Sequence, residues 1–153
     1  MKTKNLIITS GGQSGTDRAA LDFAIKHKIP CGGWCPKGRL AEDGAIPAHY
    51  PLKETATSDH SERTRKNIDD SDGTLIIFVK EMDDGTHYTL KYAEETEKPV
   101  YVIDEASKTD PTAFRNWMEE NKIRVLNVAG PRESSGEGTY RFAFRVLGEI
   151  LVW

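Results

Sequence analysis

Apolar residues fall alternately into short unbroken runs and into stripes of helical period, and the alternation repeats along the whole chain. Asn5-Leu6-Ile7-Ile8-Thr9 reads as a strand that enters Ser10-Gly11-Gly12-Gln13-Ser14-Gly15. A helix over about 16–28 follows, with Ser14 or Thr16 as its N-cap and Asp17 in its first turn. Ala20, Phe23 and Ala24 face inward, Arg18, Asp22 and Lys26 outward, and Pro30 ends the element. Residues 31–34 form a short second strand, and 36–58 read as a long ordered loop, a length that usually carries function. A helix over 60–69 begins at an Asp59/Glu62 capping box. Residues 73–79 are the most apolar run and suit a strand covered on both faces. A helix over 86–97, a strand over 100–103, a helix capped by Asp110-Pro111 and a strand over 123–128 continue the series. Tyr140, Ala143, Phe144, Leu147, Ile150 and Leu151 give the last helix its stripe. Five strand-helix units predict an α/β fold: a doubly wound, mainly parallel sheet of about five strands with helices on both faces. Placing the most apolar strand centrally gives the strand order 2-1-3-4-5.

The 153 residues fit a single domain spanning 1–153. A 37% hydrophobic, 29% charged composition belongs to a folded chain, not a disordered one. A net charge of −3 argues against nucleic acid or an anionic membrane as the main partner. Met1-Lys2-Thr3-Lys4 and the few residues after it are too short for a secretory signal, and no run approaches ~20 apolar residues. A cytoplasmic protein is the expectation.

In a parallel sheet, every loop leaving a strand's carboxyl end opens on one edge, where ligands bind. The polar, Gly-rich segments follow strands, whereas the connections entering strands are terse. Gly11, Gly12 and Gly15 let the first loop turn sharply, so that its amides, Gln13, the Ser14 and Thr16 hydroxyls and the helix end could hold a phosphate-like anion. A tight strand-helix turn is the other reading, and Asp17, repulsive to phosphate, could accept from a ring N–H or a hydroxyl. On the cradle reading, Gly12→Ala costs at least ~1 kcal/mol and abolishes binding. Lys37-Gly38-Arg39 supplies two cations beside a flexible glycine, either for a dianion or as plain solvated charges. Arg63, Lys66 and Asn67 lie on one helix face, with Arg63 suited to an anion or equally to Asp69, Asp70 or Asp72. Gly85-Thr86 is either a second anion nest or an ordinary cap, and Gly130 to Gly136, with Arg132, either closes over a ligand or is a plain loop. Cys31 and Cys35 lack the spacing and partners of a zinc site and read as small buried side chains. Of the four histidines, His49 and His87 are the two expected to reach the ligand edge.

The stretch from Ser10 through Asp22 resembles the opening signature of the molybdenum carrier (molybdenum cofactor carrier-like) family. So do Gly32-Gly33-Trp34-Cys35-Pro36-Lys37-Gly38-Arg39, Arg63-Thr64 with Asn67, Asp70 through Leu75, and Val128 through Arg132. The resemblance implies a Rossmann-like fold in a wider superfamily that includes lysine-decarboxylase-like phosphoribohydrolases. It implies a carrier of molybdenum cofactor (molybdopterin), or otherwise of a phosphate-bearing pterin or nucleotide. The Gly11 loop would take the phosphate, Lys37, Arg39 and Arg63 would balance its charge, and any metal would arrive on the cofactor. The phosphoribohydrolases resemble one another in a Pro-Gly-Gly-x-Gly-Thr-x-x-Glu loop. Here only Gly85-Thr86 remains of it, and Thr89 stands where the glutamate belongs. Thr is no general base near neutral pH, so a binding protein is favoured over a catalyst. A nucleoside-monophosphate hydrolase with a relocated acid, Asp17 or Asp43, and a nucleotide-sensing module are the alternatives. Self-association is expected of a small α/β domain.

Overall fold

A computed structural model describes residues 5–152; Trp153 and Met1–Lys4, the start of the stretch read as too short for a signal, lie outside the described residues. Strands β1 (Ile7–Thr9), β2 (Cys31–Gly32), β7 (Gly73–Phe78), β8 (Val100–Asp104) and β9 (Val125–Ala129) form one parallel sheet in the order β2-β1-β9-β7-β8. Ile8 lies opposite Cys31 on one side and Leu126 on the other; Ile76 lies between Ala129 and Val102. The expected order is corrected here. The last strand, not the most apolar one, takes the centre, and β7 sits between β9 and β8. Apolarity reports burial on two faces, which any interior strand satisfies, so it could not single out the central position.

Helices α1 (Thr16–Lys26), α4 (Pro111–Glu120) and α5 (Thr139–Leu151) pack together over one layer, and α2 (His60–Asp69) packs with α3 (Asp84–Glu95). The main core joins Phe23, Phe114, Val146 and Ile150 to Ile8, Leu75, Ile77 and Leu126, all buried. Each such side chain contributes about 1.5–3 kcal/mol by leaving water. No described helix is long and apolar enough to cross a membrane.

Helix starts depart from expectation where loop side chains have better partners. Gly15 is the N-cap residue of α1 and makes no side-chain cap; the Thr16 hydroxyl donates to the Ile77 carbonyl and the Ser14 hydroxyl to Glu42. Asp59 caps α2 through Ser61 N–H, but Glu62 accepts from Thr57 instead of closing a capping box. α3 begins two residues earlier than expected because Asp83 caps it, whereas the Asp110-Pro111 start of α4 is as read.

The segment 36–58 is ordered, as its composition suggests, but it also contains pairing. β3 (Trp34–Cys35) runs parallel to β6 (Lys53–Glu54), and β4 (Leu40–Ala41) makes a hairpin with β5 (Gly44–Ala45). Arg39 organises it: the guanidinium donates to the carbonyls of Ile46, Pro47, Tyr50 and Leu52 at 2.7–3.3 Å. Lysine cannot reproduce that planar fork. Arg39→Lys should cost about 2 kcal/mol, since bonds to a charged donor are worth ~1.5–3 kcal/mol each and some survive. Faster amide exchange confined to 39–52 is the expected signature, and unchanged protection there would refute it.

Candidate functional site at the carboxyl edge of the sheet

The loops leaving β1, β7 and β9 meet the first turns of α2 and α3 around a cavity of about 220 Å³. It gathers seven of the residues singled out in the sequence: Gln13, Asp17, Arg63, Gly85, Thr86, Gly130 and Arg132. Gly11 belongs to the same arrangement, because a Cβ there would stand 2.2 Å from the Arg63 guanidinium. At Gly130, a Cβ would meet the Ile77 carbonyl at 2.1 Å, so the end of β9 must be bare to pack beside β7.

The first loop does not present its amides freely. Gly12 N–H donates to Ser10 Oγ (3.3 Å), Ser14 N–H to Gln13 Oε1 (3.0 Å) and Thr16 N–H to the Pro131 carbonyl (3.3 Å). Gln13 N–H makes a long 3.4 Å contact to the Asp17 carboxylate. The cradle thus already faces an anion from its own chain. The same happens at α3, where the Thr86 amide and hydroxyl both donate to Asp83 Oδ1 (2.9 and 2.7 Å), so Gly85-Thr86 forms an ordinary cap. Gly12 does have positive φ (80°), and a Cβ there would press on Leu52 Cδ1 at 2.5 Å. The expected ~1 kcal/mol cost of Gly12→Ala therefore stands on strain and crowding.

Asp17 and Arg63 are the electrostatic centre. Asp17 is 2% exposed, and burial pushes its carboxyl up to about 6. Arg63 and the Gln13 amide pull the other way, and nearby Asp83 adds to the rise. Arg63 Nη1 lies 3.4 Å from Asp17 Oδ2, while its Nε is buried without a hydrogen-bond partner. The guanidinium thus lines the cavity with its hydrogen-bonding capacity incompletely used. His60 stands at the rim, its basicity lowered by partial desolvation and by the Arg63 and Arg132 charges. Burial opposes ionisation of Asp83, but hydrogen bonds from Thr86 and the Arg132 amide outweigh it and hold this carboxyl below its usual range.

Other residues singled out in the sequence lie elsewhere. Arg39 is turned to its carbonyls, Lys37 is exposed and Gly38 N–H donates to Glu54. Asn67 is buried and ties α2 to β1 and β3 through Thr9 Oγ1 and both backbone groups of Trp34. Asp43 pairs with Arg18 in two bonds of 3.0 and 3.1 Å outside the cavity. His49 stacks on Tyr50, and neither it nor His87 lines the cavity; His60 does. Cys35 is buried in a small core with Leu21, Ile46 and Tyr50, and burial raises both thiols.

The sequence reading missed His60, Asp83, Thr89 and Glu42. His60 had a signal, three residues before Arg63 on one helix face. Thr89 had one too, since it stands at the glutamate position of the hydrolase loop and does line the cavity. Glu42 had none: its carboxylate accepts from Ser14 and from the amide and hydroxyl of Ser134, latching the 130–136 segment to the first loop.

The chain has counterparts among known proteins. Residues 8–151 match the family described as circularly permutated YpsA SLOG. The crystal structure of a protein named "Putative molybdenum carrier protein", from Syntrophus aciditrophicus SB, is 47% identical, with a TM-score of 0.90 over 96% of this chain and 94% of that one. Comparison with curated proteins gives no match. The match spans nearly the whole chain, site included, and the molybdenum carrier resemblance read from its motifs holds; the chain belongs to the circularly permutated YpsA SLOG family.

Proposed function

We propose that the protein binds and carries a phosphorylated heterocycle, with its anionic group on Arg63. The observation behind this reading is the buried, unpartnered Nε of Arg63 at a cavity on the ligand edge of the sheet. Molybdenum cofactor, as cargo, is the specific ligand that the motif resemblance implies, and the Syntrophus protein is named as a carrier of molybdenum. The cavity's 220 Å³ falls below the ~300 Å³ of a whole small-molecule pocket, so it suits the anionic end alone. A broader cleft of about 1070 Å³ shares Asp83 and Arg132 with it and offers Val79, Met82 and Tyr140 for a flat ring.

Calorimetry with molybdenum cofactor, its metal-free form and nucleoside monophosphates tests this. Binding tighter than millimolar to one of them is expected, as is at least a tenfold loss in Arg63→Met. No binding to any of them refutes the reading. A second reading, hydrolysis of nucleoside monophosphates, draws on Asp17, whose carboxyl near 6 is poised for proton transfer. Release of free base by the wild type and its loss in Asp17→Asn would favour it.

A further inference from the structure

We propose that the site takes up an anion and a proton together, with Asp17 as the group that becomes protonated when an anion occupies Arg63. This deepens the carrier reading and rests on it. Asp17 and an incoming anion must share one guanidinium: Asp17 Oδ2 lies against Nη1, and the same incompletely paired group lines the cavity that an anion would enter. Two negative groups on one cation in a desolvated pocket do not both stay ionised; the more easily protonated one gives way.

The surroundings favour Asp17 as that one. From α1 itself it is faced by Arg18, from α2 by Arg63 and His60, from the cap of α3 by Asp83, and from the loop after β9 by Arg132. Asp83 is fixed as an anion by three hydrogen bonds, two from Thr86 and one from the Arg132 amide. Asp17, in contrast, has only two 3.4 Å contacts and is already the easier carboxyl to protonate. Once protonated, its hydroxyl can donate to an anion beside it, turning repulsion into a hydrogen bond. Anion affinity then falls as pH rises above about 6, so a mildly acidic medium loads the site and an alkaline one empties it.

Inorganic sulfate is the clean probe, because it does not titrate between pH 6 and 8, whereas a phosphate monoester does, near ~6. Calorimetry of the full chain with sulfate at pH 7, in two buffers of different protonation enthalpy, should show close to one proton taken up per sulfate. Affinity should fall by nearly tenfold between pH 7 and 8. Asp17→Asn should remove both the uptake and the pH dependence, whereas His60→Gln should keep them whatever its affinity. Sulfate binding without proton uptake by the wild type overturns the coupling and leaves the carrier reading intact. Uptake lost in His60→Gln but kept in Asp17→Asn also overturns it, and assigns the proton to the imidazole. If sulfate does not bind at all, this proposal falls, while the carrier reading is decided by the cofactor and nucleoside monophosphates. The wild-type and His60→Gln measurements decide the matter even if Asp17→Asn does not fold.

Discussion

Gly15→Ala should destabilise the protein by at least about 3 kcal/mol and lower its melting temperature by roughly 10 °C. Gly15 adopts φ 80°, ψ −132°, a region open in practice to glycine alone. Beyond that strain, an added Cβ would stand 2.3 Å from the Pro131 carbonyl oxygen and 2.9 Å from the Glu133 amide nitrogen. Both belong to backbone, so no flexible side chain can swing aside, and the 130–136 segment must shift as a body. The shift would break the Thr16 N–H bond to Pro131 and loosen the Glu42 latch. Gly138→Ala is the control. Gly138 also has positive φ, 88°, but nothing lies within 4 Å of its added Cβ, so only about 1 kcal/mol of strain is expected. Equal losses in the two variants, read by thermal or urea unfolding, would refute the steric argument.

Asp17→Asn should stabilise the protein at pH 7 by about 2 kcal/mol. The carboxyl's ordinary value of 3.8 is raised to about 6 by burial, so between those values the folded chain binds more protons than the unfolded one. Stability contributed by this group is therefore greatest in acid and falls as pH rises from about 4 to 6, then levels off. A shift of this size, which already includes the attraction to Arg63, is worth about 3 kcal/mol at most, and the amide N–H that asparagine adds in a buried place returns part of the gain. Asparagine stands in for the protonated form at every pH, so the fall between pH 4 and 6 should flatten in the variant. Urea midpoints across that range provide the measurement. A variant less stable than wild type at pH 7 would mean that the Arg63 pair outweighs desolvation. A more stable but less capable protein is the usual outcome where a buried charge is kept for function.

The alternation of apolar runs and helical stripes made the layered architecture legible, because each element's period and its breakers are local properties. The asymmetry of the loops likewise singled out the carboxyl edge of the sheet, where Gln13, Asp17 and Arg132 from those loops line one cavity and Lys37 and Arg39 do not. Strand order was not legible: β7 and β9 are both interior, and nothing local separates the middle position from the one beside it. The site's donors were misread for a related reason. Sequence names the groups that can donate, but not the acceptors that reach them first. Thr16 meets the Ile77 carbonyl 61 positions away, and Ser14 meets Glu42 28 positions away. Arg39 and Lys37 illustrate the same limit, since two cations one residue apart in one loop have separate fates, one bonded to four carbonyls and one in water.

Because β9 lies between β1 and β7, the two flanking pairs share no edge until residues 125–129 arrive. During vectorial synthesis, β1 with β2 and β7 with β8 must wait as separate two-stranded fragments, each with one side unzipped, until residues 125–129 emerge. A nascent chain stalled before Val125 therefore cannot complete the sheet and is a natural client for chaperones.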